Sequence, residues 1–320
     1  MVAGASPSHE GSAVPITRRH LQLSLAVLWL FDGILQCQPY MFSRNFARGI
    51  LMPASQGQPH FVAAPLHAAT NLVLAQPVLT NAVFALTQIG LGVLLLTRRH
   101  ARWALLASIV WALGVWFFGE GLGGIVAGAT LLSGAPGAAV LYAILAALAW
   151  PSGDHDGDER PSWLALPAWS LVWLTGAGLQ LVAGNNSSKS FTMSLGSAAS
   201  GSPHWLSHID QRLAHVSIPA AMAAGVVAIF VLVALWALVP GWTRHVAVGL
   251  GLLMSLVGWF LFQGLGNLTS GRATDPNSGP LMILLALVVL SAQRRSVPTW
   301  STSLDARSEQ LLPTTPSLVS

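Results

Sequence analysis

Asp32 is an acid about halfway through an apolar run, Leu21 to Tyr40, with Gln36 one turn further on and Tyr40 one turn beyond that. A carboxylate at the centre of a membrane helix costs about 2.5–3.5 kcal/mol, so it must be protonated, paired or turned toward a wet interior. Two chemistries fit: a proton or cation site, or a neutral carboxyl hydrogen-bonded between helices. Glu120 is the second such acid, set among glycines in Gly119-Glu120-Gly121-Leu122-Gly123-Gly124. Glycine admits left-handed backbone and close approach by helices or ligands. Gly121 and Gly123 thus suit either a binding loop or a compact outer turn. His204, His208, Gln211 and His215 fall on one helical face. Imidazoles one turn apart can share a metal ion, and interfacial histidines on an amphipathic helix fit the same spacing.

These residues have counterparts elsewhere in the chain. Trp29-Leu30 and Gln36 return as Trp173-Leu174 and Gln180, 144 residues on, with Gly176 in place of Asp32. Pro59-His60-Phe61 returns as Pro203-His204-Trp205 at the same offset. Trp116-Phe117, Glu120, Gly121 and Gly123 return as Trp259-Phe260, Gln263, Gly264 and Gly266, offset by 143. A long, well-held period indicates duplicated subdomains. Gly/Pro-interrupted segments at matching places in two halves are the best sequence pointer to a transporter's site. The candidate ligand or proton site is therefore Asp32, Gln36, Glu120, Gln180 and Gln263, with the acids confined to the first half. Asp32, Gln36 and Gln180 are expected to face the interior, and Glu120 and Gln263 the outer rim.

The elements that would carry these residues are membrane helices. Of 320 residues 53% are apolar and 8% charged, against roughly 25% charged in a soluble domain. So few charges cannot cover a water-facing surface, so most of the exterior must face lipid. Eight apolar segments stand out, near 21–40, 77–96, 103–118, 135–150, 163–183, 217–238, 246–262 and 279–290. A span needs roughly 20 residues, and the fourth and eighth segments are short at matching places. The reading is an all-α polytopic membrane protein, eight transmembrane helices as two parallel four-helix repeats. Repeat one is 21–150 and repeat two 163–292, around an acidic linker at 151–162. A cytoplasmic segment at 1–20 and a Ser, Thr and Pro-rich tail at 293–320, expected to be disordered, flank them. The first 20 residues show no cleavable signal, so the first helix is expected to direct insertion.

The net charge of +4 rests on 14 Arg and one Lys, placed in short connections and not gathered on one face. That excludes a nucleic-acid surface and reads as topology signalling. Placing both termini and the linker inside puts ten Lys and Arg on the cytoplasmic side and five outside. Cys37 is the only cysteine, which rules out an intrachain disulfide. Serine-nucleophile, phosphate-loop and zinc-protease motifs are absent.

Arg19-His20-Leu21 through Leu28-Trp29-Leu30 to Gly33 and Gln36 resembles the opening helix of the DoxX/DoxD-like membrane proteins, and four spans per unit matches that family. The Gly-Leu-Gly pattern and Ala273-Thr274-Asp275-Pro276-Asn277 are similar to actinobacterial membrane proteins, a likeness that implies no activity. The family resemblance implies a plasma-membrane accessory subunit of a quinone- or thiol-linked redox system, bound to a partner protein and not catalysing full chemistry alone. The tandem arrangement and long outer loops depart from the family. A secondary transporter of a small solute or metal ion, with its site between the repeats, and a non-catalytic scaffold are the alternatives. The partners expected are the lipid bilayer and a redox protein, and the cofactor a quinone or a metal ion.

Overall fold

The computed structural model describes residues 16–151, 163–182, 184–216 and 220–292, and every regular element among them is helical. The linker acids between 154 and 159, the tail 293–320 and most of the segment 1–20 lie outside the described residues. The first helix, α1 (Arg18–Gln36), starts at a capping box. The Thr17 hydroxyl accepts from the His20 N–H at 3.2 Å, and His20 Nδ1 accepts from the Thr17 N–H at 3.2 Å. It ends earlier than the apolar run suggests. Pro39, which has no N–H to offer an α-helix, opens a separate 3-10 turn, Pro39–Phe42. Tyr40 therefore leaves the Asp32 face, and its hydroxyl donates to the Asn45 carbonyl at 2.8 Å.

Two single turns, α2 (Arg44–Phe46) and α3 (Met52–Ala54), lead to α4 (His60–Ala75). A proline inside a helix usually breaks it, but α4 runs through Pro65. The missing N–H deprives only the Phe61 carbonyl of its partner, in the exposed first turn, and buried Val62 and Leu66 hold the helix on either side. α5 (Pro77–Leu96) then runs antiparallel to α1. Gln22 Nε2 donates to the Leu95 and Thr97 carbonyls at 2.8 and 3.1 Å, and Asn81 Nδ2 donates to the Gln36 carbonyl at 2.9 Å. Gly33 and Gly92 let the two backbones approach: a Cβ at Gly92 would lie 2.6 Å from Leu30. Small residues serve membrane helix contacts in this way. α6 (Ala101–Phe118) and α7 (Ala138–Leu148) complete the first group.

The second group is α8 (Ala165–Leu181), α9 (Ser188–Ala199), α10 (His204–Ala214), α11 (Ala220–Trp236), α12 (Trp242–Val257) and α13 (Ser278–Ala292). α8 packs on α11 as α1 packs on α5, and α12 on α13 as α6 on α7. α7 and α13 meet between the groups, and one contiguous apolar core runs through both. The turns after α6 and α12 also match. Gly121, Leu122 and Gly123 have φ of 58, 58 and 62°, and Gly264, Leu265 and Gly266 have 53, 57 and 68°. Trp116 Nε1 donates to the Pro136 carbonyl at 2.7 Å, and Trp259 Nε1 to the Pro276 carbonyl at 2.8 Å.

Among the described residues, three helices are long and apolar enough to cross a membrane: Pro77–Leu96, Ala101–Phe118 and Trp242–Phe262. Among the other expected spans, α1 carries Arg18, Arg19 and Asp32, while α7, α8, α11 and α13 are shorter. Large apolar side chains point outward from α5 and α6, among them Leu86, Leu106 and Val110.

Candidate functional site

A cavity of about 520 Å³ lies within the first group, enclosed by α1, α4, α5, α6 and α7. Its wall is mostly apolar, as ligand sites usually are. It reaches the outer surface beside α6, where lining Val110 is 65% exposed. Asp32 and Gln36 enter from α1, Gln88 from α5, Trp111 from α6, Glu120 from the Gly-rich turn and Tyr142 from α7. One further acid, Asp275, comes from the loop before α13 in the other group. No lysine, arginine or histidine lines the cavity among the described residues.

Packing fixes several of these side chains. Trp29 stacks at 4.4 Å between ring centres on Tyr142 and donates through Nε1 to Ser108 Oγ at 2.8 Å, so α1, α6 and α7 are tied at the cavity wall. Glu120 Oε1 accepts from the Ala139 N–H at 3.0 Å, at the N-terminus of α7 where a negative charge is favoured. Asp275 accepts from Thr274 Oγ1 at 2.8 Å and from the Asn277 N–H at 2.7 Å. Burial, then the Asp275 carboxylate, pushes the Glu120 carboxyl up to about 8 against the pull of the α7 N–H groups. Burial raises Asp275 as well, and the Thr274 and Asn277 hydrogen bonds oppose it.

Other polar atoms in the cavity have no hydrogen-bond partner among the described residues. They are Asp32 Oδ1, Gln36 Oε1, Gln88 Oε1, Trp111 Nε1 and Glu120 Oε2, while the Tyr142 hydroxyl stands within reach of the Asp32 carboxyl. A buried polar atom left unmatched costs about 1–3 kcal/mol. These atoms lie in one chamber, donors and acceptors both among them.

The structure thus brings Asp32, Gln36 and Glu120 together, and it separates Gln180 and Gln263 from them. Gln180 is buried, but its Nε2 donates to the Asn185 carbonyl at 2.7 Å and secures the loop after α8. Gln263 holds the second group instead: Nε2 donates to the Leu132 carbonyl at 3.1 Å, and Oε1 accepts from Ser278 Oγ at 3.1 Å. Gly121, Gly123, Gly264 and Gly266 shape the turns and, of the four, none lines the cavity. His204 and His208 pack edge to face at 4.5 Å. Yet no group of three or more His, Cys, Asp or Glu side chains among the described residues, His215 included, is arranged to hold a metal ion.

Sequence reading missed Tyr142 and Asp275. Tyr142 is the only tyrosine apart from Tyr40, and a polar ring in a wholly apolar helix is a signal that was there to use. Asp275 reaches the cavity only through a contact between the two groups. In comparisons with known proteins, no protein-family model, curated protein or solved structure matches the chain.

Proposed function

We propose that this chain is a multi-pass plasma-membrane protein of eight spans in two parallel four-helix repeats, with both termini cytoplasmic. Its first half binds a quinone-class molecule on behalf of a redox partner, as a DoxX-like accessory subunit would. The observation that carries this reading is the mostly apolar 520 Å³ cavity that opens beside α6 and has its unmatched polar atoms gathered inside. An opening flanked by outward-facing Val110 and Phe118 suits entry from the bilayer.

The residues fit both forms of such a guest. The Tyr142 hydroxyl and Trp111 Nε1 can donate to carbonyl oxygens, and Asp32, Gln36 and Gln88 can accept from hydroxyls. A bound quinone would take up two electrons from the partner and two protons. Asp32 and Glu120 are placed to hold and pass those protons, and the apolar wall keeps bulk water from the rest of the chamber. Equilibrium dialysis of a short-chain quinone against the protein in nanodiscs tests the reading. Saturable binding is expected, weakened about five- to tenfold by Tyr142→Phe, the loss of one hydrogen bond. An absence of saturable binding to the folded protein would reject it.

The unpaired acids favour one second reading, a proton-coupled transporter. Solute uptake into vesicles that follows an imposed pH gradient and is lost in Asp32→Asn would select it.

A further inference from the structure

The second group contains a chamber at the corresponding place, and it is shut. It measures about 10 Å³, too small for one water molecule. Its wall repeats the first cavity residue by residue. Trp173 stands where Trp29 does, 144 residues on, and Gln263 where Glu120 does, 143 on. Met282 takes the place of Tyr142 at the 140-residue spacing of Pro136 and Pro276, whose carbonyls accept from the matched tryptophans. Gly176 corresponds to Asp32. Every group that could titrate in the first chamber is neutral in the second.

The contents of the two chambers are exchanged between the halves. The loop ahead of α7 sends Leu131 and Leu132 into the second chamber, and the loop ahead of α13 sends Thr274 and Asp275 into the first. These two pairs are themselves 143 residues apart. Leu131 occupies the space that a side chain at 176 would need: a Cβ on Gly176 would lie 2.6 Å from Leu131 Cδ2. Gln263 pins the same loop through the Leu132 carbonyl.

We infer that the second half is a closed copy of the first half's ligand site, shut by Leu131 and Leu132, and that Thr274 and Asp275 are what the second half contributes to the open site. The inference rests on the duplication proposed above and on the first cavity being a ligand site. Opened, the second chamber would take only apolar molecules, because Gly176, Gln263 and Met282 have replaced the acids and the phenol.

Xenon is the probe, since it enters dry apolar cavities without needing a polar partner. Crystals of the full-length protein under xenon pressure are expected to show no gas beside Trp173. Leu131→Ala/Leu132→Ala is expected to add a xenon site against Trp173 and Phe230, and Thr274→Leu/Asp275→Leu to weaken quinone binding in the first cavity. Xenon beside Trp173 in the unaltered protein, or none there in the folded double alanine variant, would overturn the inference. So would native quinone affinity in the double leucine variant. An unaltered protein that shows no saturable quinone binding would instead count against the proposed binding function. The inference would then be judged at Trp173 alone. If the double alanine variant does not fold, Gly176→Ala decides the matter in thermal melts. It should lower the midpoint in the native background and cost less with Leu131→Ala present, whereas equal loss in both backgrounds would reject closure by Leu131.

Discussion

Glu120 is the residue whose titration should be visible from outside. Its carboxyl is held near 8 in the folded chain, against 4.5 when unperturbed. Between those values the folded protein keeps a proton that the unfolded chain has released, so stability must fall as pH rises through the window. Glu120→Gln removes this contribution, and its thermal midpoint between about pH 5 and 8 should decline less than that of the native protein. Scanning fluorimetry in nanodiscs measures it, and parallel curves would show that Glu120 is not the titrating group. Asp275, also raised, should leave a residual slope. Asp32→Asn should leave insertion intact and weaken ligand binding, because Asp32 is buried in the cavity wall and its Oδ1 has no protein partner. A quinone affinity equal to the native one would remove Asp32 from the site. Asp32 and Glu120 were legible in the sequence because an acid in an apolar run has few permitted environments. Gln180 is buried as expected but lies apart from the cavity, because a repeat register tells what a residue corresponds to and not what it faces.

At the scale of the element, the glycine turns are the firmest constraint. Gly123 has a φ of 62°, a conformation that costs an L-residue about 1–2 kcal/mol. A Cβ there would also strike the Pro136 carbonyl, the acceptor of the Trp116 hydrogen bond. Gly123→Ala should therefore destabilise by more than about 2 kcal/mol. Gly266→Ala should behave alike, since its Cβ would meet Pro276 at 2.7 Å. Gly90→Ala in α5 is the control, with nothing within 4 Å of the added carbon, and should be neutral or slightly stabilising. Thermal melts of the three variants check this, and equal behaviour would deny the turns their role. The helices around these turns were readable from apolar runs, but their ends were not. Pro39 ended α1 inside an apolar run, whereas Pro65 lay in the first turns of α4 and stopped nothing. A proline's effect depends on which carbonyl it deprives and whether water can reach it, and spacing alone does not say.

For the whole molecule, composition pointed toward lipid and was nearly silent about the site. Few charges and outward-facing apolar side chains on α5 and α6 are both compatible with lipid. No local pattern, however, tells that a loop ahead of α13 ends in a cavity walled by α1 and α6. Such a contact depends on how the two groups pack along α7 and α13, a property of the assembled bundle. The proposed topology follows from charge and parity. Four spans in each half return the chain to its starting side, so the linker near Pro161 must share the compartment of the N-terminus. Lys189 follows α8 by a few residues, so it must lie across the bilayer from Pro161 if α8 spans. α8 has 17 residues, about 25 Å of helix, and its flanking residues must complete the crossing of a core about 30 Å thick. Alkaline phosphatase and fluorescent-protein fusions are expected to place position 161 in the cytoplasm and position 189 outside. Because Lys and Arg divide ten to five in favour of the cytoplasmic side, moving Arg98, Arg99 and Arg102 to neutral residues should weaken that preference without abolishing it. The same compartment for both fusions would mean that α8 does not cross, and with it the eight-span arrangement would fall.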